Sequence, residues 1–142
     1  LGSSAHKKRL SVLGGLNNMD YRSIAHSEIQ THGIKWCTGG CGLKSSHKRG
    51  FATPVNGTVH FDRAMKTRGG LYGLLHEIGH ILYRHHWRIG VPRWEQEYSA
   101  EHYARRRMRL LGIAIPRKEV TNGDLYIARM KKWGKNISLG AK

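Results

Sequence analysis

The fold is decided by residues 70–83, which read GLYGLLHEIGHILY. Their apolar side chains recur with helical spacing, so His76 and His80, four residues apart, lie one turn above each other on a predicted helix. Leu74 and Ile78 fall on the opposite side, which predicts that the core and the two histidines face different ways. Gly79 costs about 1 kcal/mol relative to alanine inside a helix and indicates that another backbone approaches there.

The His-Glu-x-x-His pattern at 76–80 is a candidate metal site. Both imidazoles can reach one ion, and zinc accepts two histidines and a carboxylate while keeping a fourth position for water. Glu77 lies about 100° around the helix from His76, where a carboxylate can take a proton from metal-activated water. Although the sequence has 10 histidines, a shuffled chain would contain only about 0.03 such motifs, so the pattern is suggestive.

A second predicted helix, over residues 92–111, carries two glutamates in its apolar stripe. Glu97 and Glu101 lie there among Trp94, Ala100, Ala104, Met108 and Leu111. Because a buried carboxylate without a partner costs several kcal/mol, this stripe requires a cation, and a zinc ion with its histidines provides one. Arg105 and Arg107, each about 80° from Glu97 around the helix, leave ordinary salt bridges open as the alternative.

The remaining pattern predicts one α+β domain over residues 17–142, preceded by a flexible basic arm over 1–16. A first helix is predicted over 17–32, capped by Asn18 or Asp20. Three short strands follow, over 33–37, 49–55 and 57–61, and the turn signal Asn56-Gly57 predicts a small antiparallel sheet. The His-Glu-x-x-His helix spans 65–86, the glutamate helix crosses it, and a basic C-terminal helix is predicted over 122–133.

The charge of the chain favours a polyanionic partner. Lys and Arg number 25 against 9 Asp and Glu, a formal net charge of +16, so DNA or RNA is the first candidate. The candidate nucleic-acid contacts are Arg105, Arg106, Arg109, Lys131 and Lys132. A solvated basic surface explains the same charges without a partner. The apolar runs are far shorter than the roughly 20 residues that cross a bilayer, so no transmembrane segment is predicted.

Cys37 and Cys41 are too few for a disulfide-stapled secreted scaffold, which favours a reducing compartment and a cytoplasmic location. The simplest interpretation is two reduced thiols beside a glycine-rich turn. The alternative is a second, structural zinc site completed by His47 or His60, although the Cys-x-x-x-Cys spacing is loose.

The two predicted helices resemble a known group of enzymes. His76-Glu77-Ile78-Gly79-His80 followed by EYSAEHYA at 97–104 is similar to the HExxH and ExxA(D/E)xxA signatures of gluzincin metallopeptidases. The ImmA/IrrE-type, SprT-like and HtpX-like proteases have the most similar patterns. This resemblance covers about residues 70–110 and implies a minimal zincin-like fold.

By resemblance, His76, His80 and Glu97 bind zinc and Glu77 is the general base. Glu101 matches the acidic position that orients a histidine ligand, although many relatives have Asp there, and it is the reserve candidate for the third ligand. The expected function is a zinc metallopeptidase that cleaves a protein or peptide substrate with metal-activated water, acting near nucleic acid. The alternative is a non-enzymatic, basic nucleic-acid-binding protein in which the zinc site is structural.

Overall fold

The computed structural model describes residues 19–37, 51–53, 57–60, 65–83 and 90–140. The predicted arm over 1–16, Cys41 and His47 lie outside these residues. The elements are α1 (Tyr21–Thr31), β1 (Lys35–Cys37), β2 (Phe51–Thr53), β3 (Thr58–His60), α2 (Arg68–Leu82), α3 (Arg93–Leu110) and α4 (Arg117–Gly140). The described part is therefore mostly helical with a small sheet, a mixed α+β architecture.

Local side chains set where the first two helices begin. The Asp20 carboxylate accepts hydrogen bonds from the Ser23 backbone N–H at 3.1 Å and from its hydroxyl at 2.6 Å. The Thr67 hydroxyl accepts from the Gly70 N–H at 3.0 Å in the same way at the start of α2. Each of these side chains satisfies a backbone donor that has no partner inside its helix.

The sheet is mixed, with strand order β1-β3-β2, and the prediction of an antiparallel sheet is wrong. β1 pairs in parallel with β3, whereas β2 and β3 are antiparallel, with Thr53 opposite Thr58. Gly57, at the entrance to β3, has a φ of 61°, a left-handed conformation that glycine adopts without strain. The turn signal at Asn56-Gly57 concerns only β2 and β3 and carries no information about the direction of β1.

One face each of α1, α2 and α3 and the central strand form most of the core. α2 contributes most of the fully buried large side chains, and the core includes Leu71, Leu74, Leu75 and Ile78 of α2, Met108 of α3, Ile29 of α1 and Val59 of β3. α2 and α3 cross at Gly79, where an added Cβ would lie 3.0 Å from Ala100 Cα. The sequence prediction that another backbone approaches Gly79 is confirmed.

The basic C-terminal helix is longer than the predicted segment 122–133. It begins directly after Pro116, whose carbonyl accepts a hydrogen bond from the Val120 N–H at 3.1 Å. None of the described helices is long and apolar enough to cross a membrane.

Candidate metal centre

Three side chains from α2 and α3 bring their donor atoms to one point. His76 Nε2 lies 2.9 Å from Glu97 Oε2 and 3.1 Å from His80 Nε2, and His80 Nε2 lies 3.3 Å from the same Glu97 oxygen. A tetrahedral zinc ion with donors at about 2.0–2.1 Å holds those donors about 3.4 Å apart. The three atoms are therefore already spaced almost as zinc ligands are.

The hydrogen bond on the other side of the His76 ring favours a cation at this cluster. His76 Nδ1 lies 2.8 Å from Glu101 Oε1, and a carboxylate can only accept, so Nδ1 carries the proton. In a neutral imidazole the lone pair of Nε2 then points at the Glu97 oxygen and at His80. Converging acceptors repel one another unless a proton or a metal ion lies between them. The donor set fits zinc.

Glu77 lies beside this point. His76, Glu77 and His80 each place one donor atom within 4.8 Å of the others, a spacing that could hold a metal ion. Glu97 is the better placed candidate for a third ligand, because its Oε2 is within 3.3 Å of both imidazoles. Glu77 lies close to the same candidate position.

The charges around His76 favour a cation there. Burial alone would lower the pKa of His76, but hydrogen bonds to Glu101 and Glu97 outweigh it and raise the pKa to about 10. Burial would likewise raise the pKa of Glu97, whereas its hydrogen bonds to His76 and His80 bring it well below its usual value. The carboxylates thus remain charged and hold a positive charge, whether proton or metal, between them.

The cluster is only partly covered. The side chains of His76 and His80 retain 17% and 12% of their exposure, while that of Glu97 retains 6%. Solvent therefore reaches the histidine side of the cluster, as a site with an open fourth position requires.

Glu101 is held by a network of its own. Its carboxylate accepts hydrogen bonds from the Tyr72 hydroxyl, from His76 and from Arg105 Nη2 at 3.1 Å. Arg105 also donates through Nε to the Tyr72 hydroxyl at 3.1 Å and through Nη2 to Asp124 at 2.8 Å. Burial and the bond to Glu101 raise the pKa of Tyr72, so its hydroxyl stays a proton donor. Tyr72 and Arg105 thus fix the orientation of Glu101, and Glu101 in turn fixes the orientation of the His76 ring.

The predicted nucleic-acid contacts divide into two groups. Arg105 departs from the prediction, because its side chain is only 15% exposed and is engaged with Glu101 and Asp124. Arg106, Arg109 and Lys132 are exposed. Lys131 is also exposed, with its ammonium 4.6 Å from the centre of the Trp94 ring.

The cysteine prediction is wrong for Cys37, which is disulfide-bonded. His60 lies opposite Cys37 on the neighbouring strand and is buried. A cysteine in a disulfide offers no thiolate, so this pair does not form the alternative zinc site. The cytoplasmic location stays a prediction, now without the support of reduced thiols.

The side chains of Tyr103 and His102 have contacts away from the cluster. The Tyr103 hydroxyl lies 3.2 Å from His32 Nε2 on the α1 side, and the His102 ring lies 4.2 Å from that of Tyr98, tilted by 41°, on the exposed face of α3.

Other contacts of the site were missed from the sequence. Arg93 Nε lies 3.2 Å from Glu97 Oε1, and its spacing of four residues was a readable signal, as it was for Glu101 and Arg105. Asp124 and Gly123 of α4 carry no such signal, because their proximity to Arg105 and Glu101 depends on how α4 packs against α3.

No family model, no curated protein and no solved structure matches the chain.

Proposed function

We propose that this protein is a zinc-dependent peptidase in which His76, His80 and Glu97 hold the metal. The observation that carries the proposal is the convergence of three acceptor atoms within 3.3 Å of one another, two from an HExxH helix and one from the helix that crosses it. A structural zinc site is usually closed by four protein ligands, whereas the described residues supply three at this point and leave the histidines partly exposed.

The chemistry divides among the residues of the cluster. Zinc at this position would supply a Lewis acid that lowers the pKa of a water molecule to about 7. Glu77 would accept a proton from the attacking water and return it to the leaving amine. Glu101 holds the Nδ1 proton of His76 and thereby directs the Nε2 lone pair to the metal position. Hydrogen bonds to His76 and His80 keep the Glu97 carboxylate ionised, and Arg93 forms an ion pair with its other oxygen.

Replacement of Glu77 by Gln tests the catalytic assignment. This variant keeps the ligands, so we expect it to retain zinc while hydrolysis of a degenerate library of fluorescence-quenched peptides falls by about 100-fold or more. Glu95→Gln, the same change at an exposed position of α3, is the matched control and should leave hydrolysis unchanged. Undiminished hydrolysis by Glu77→Gln, or no hydrolysis by the zinc-loaded protein, would contradict the proposal.

The exposed face of α3 favours nucleic acid as a partner. Tyr98, His102, Arg106 and Arg109 are all exposed there, and the rings of Tyr98 and His102 are in contact, with their centres 4.2 Å apart. Within the described part of the chain, neither arginine forms a salt bridge. Cations beside exposed aromatic rings are the elements of a single-strand binding surface.

This surface also supports the second candidate function, a non-enzymatic nucleic-acid-binding protein in which zinc serves only stability. That candidate predicts that Glu77→Gln leaves all functions unchanged, which distinguishes it from the peptidase.

A further inference from the structure

α4 approaches the Glu101 carboxylate more closely than any side chain would permit. A Cβ built on Gly123 would lie 2.6 Å from both Cδ and Oε2 of Glu101 and 2.9 Å from Oε1. Cβ atoms essentially never make contacts this short, so only glycine fits at this position while the carboxylate keeps its place.

The carboxylate has nowhere else to move without losing hydrogen bonds. Tyr72, His76 and Arg105 hold it on its other sides. The residue after Gly123 takes part as well, because Asp124 accepts from the same Arg105 nitrogen that donates to Glu101. Two consecutive residues of α4 therefore act on Glu101: Gly123 by direct steric contact and Asp124 through Arg105.

We infer that Gly123 and Asp124 are positioning residues of the metal centre, which press Glu101 toward His76 and set the affinity for the ion. The inference rests on the metal ligands of the proposed function. It gives α4 a role that no motif in the sequence indicates. α4 packs directly against Glu101, the residue that orients the ligand His76.

Gly123→Ala is the direct test, with metal affinity as the readout. Competition between the protein and a chromophoric chelator gives the Kd for Zn²⁺, and we expect it to rise by about 10-fold, as is usual when the partner of a ligating histidine is disturbed. Alanine favours the helix more than glycine, so the helix propensity of α4 does not fall. Gly69→Ala is the matched control, since its Cβ would meet only the Glu119 side chain, at 3.4 Å, and its Kd should equal that of the unaltered protein.

A rescue experiment separates positioning from a general packing defect. Glu101→Asp shortens the side chain by one methylene and should weaken binding by itself, but it also makes room for the methyl group of Ala at position 123. The double variant should therefore lose less affinity than the product of the two single losses. Losses that multiply would overturn the inference, because they would show that the two positions act independently.

Asp124→Asn keeps the test decisive if Gly123→Ala does not fold, as judged by circular dichroism. Removing this charge loosens Arg105 and should also raise the Kd. An unchanged Kd in Asp124→Asn, or in a folded Gly123→Ala, overturns the inference while leaving the proposed function intact. If the protein binds zinc tightly but does not hydrolyse peptides, the peptidase proposal fails, while the positioning role of Gly123 and Asp124 is unaffected.

Discussion

Arg105 and Arg106 are neighbours in the sequence with different environments. A step of one residue turns a helix by about 100°. Arg105 consequently enters the network of Glu101, Tyr72 and Asp124, whereas Arg106 is exposed, with its guanidinium carbon 5.8 Å from the centre of the Tyr103 ring. The two residues contribute equally to the net charge, but their contacts differ.

The same substitution at these two positions should therefore have different effects. Arg105→Gln removes hydrogen bonds to a buried carboxylate, and we expect the free energy of unfolding to fall by about 1–3 kcal/mol and zinc affinity to weaken. Arg106→Gln should change the free energy of unfolding by no more than about 0.5 kcal/mol. Urea denaturation and chelator competition on both variants check this, and equal effects would show that Arg105 has no internal role.

Residues of this network mark the limit of what the sequence could predict about the site. His76, His80, Glu77 and Glu97 follow from one motif and one amphipathic stripe, because helical periodicity places residues within an element. Gly123 belongs to another element, so its contact with Glu101 depends on tertiary packing that no local pattern encodes.

At the level of elements, the crossing of α2 and α3 is set by Gly79. Its Cβ position lies 3.0 Å from Ala100 Cα and 3.2 Å from the Ala100 carbonyl oxygen, which are backbone atoms that cannot rotate away. The two ligand-bearing helices are held at contact distance because this residue has no side chain.

Gly79→Ala should push α2 and α3 apart. We expect a loss of about 1–3 kcal/mol in the free energy of unfolding despite the better helix propensity of alanine, together with weaker zinc binding. Thermal denaturation followed by circular dichroism measures the first effect and chelator competition the second. A variant as stable and as tight-binding as the unaltered protein would show that the helices tolerate a wider separation.

A buried ion pair ties α1 to α3. Arg107 donates to both oxygens of Glu28, at 2.6 and 2.7 Å, and Glu28 is only 5% exposed. Glu28→Gln keeps the shape but removes the charge, and we expect destabilisation of about 1–3 kcal/mol by urea denaturation. Glu95→Gln is the exposed control, and a loss of the same size there would indicate a general charge effect instead.

The helices were largely predictable and the sheet was not, for a physical reason. Asp20 begins α1 as a cap, and Gly33 follows its end with a φ of 63°, both of which are local signals. The direction of β1 relative to β3 depends on the connection between them, which includes a whole strand. Short strands of three residues carry too little periodicity to indicate their partners.

For the molecule as a whole, the interior uses up much of the negative charge. Glu28, Glu97 and Glu101 are buried, and Asp124 is paired with Arg105. The chain has 25 cationic and only 9 acidic residues, so a large excess of positive charge remains after these pairs form, and such an excess attracts polyanions.

Binding of single-stranded DNA should accordingly weaken with salt, with a log–log slope of about −0.7 per phosphate contacted. Replacing Arg106 and Arg109 together by Gln should make this slope shallower in fluorescence anisotropy titrations. The charge-matched control replaces Arg22 and Arg68, exposed residues of α1 and α2, and should change the slope less. Equal changes in the two variants would contradict a defined binding face on α3.

The metal content of the purified protein tests the central claim most directly. We expect one zinc ion per chain by mass spectrometry of the metal, retained in Glu77→Gln and lost in His76→Ala and His80→Ala, because both histidines are assigned as ligands and Glu77 is not. The absence of bound metal in a folded protein supplied with zinc, or full retention in both histidine variants, would contradict the metal centre formed by α2 and α3.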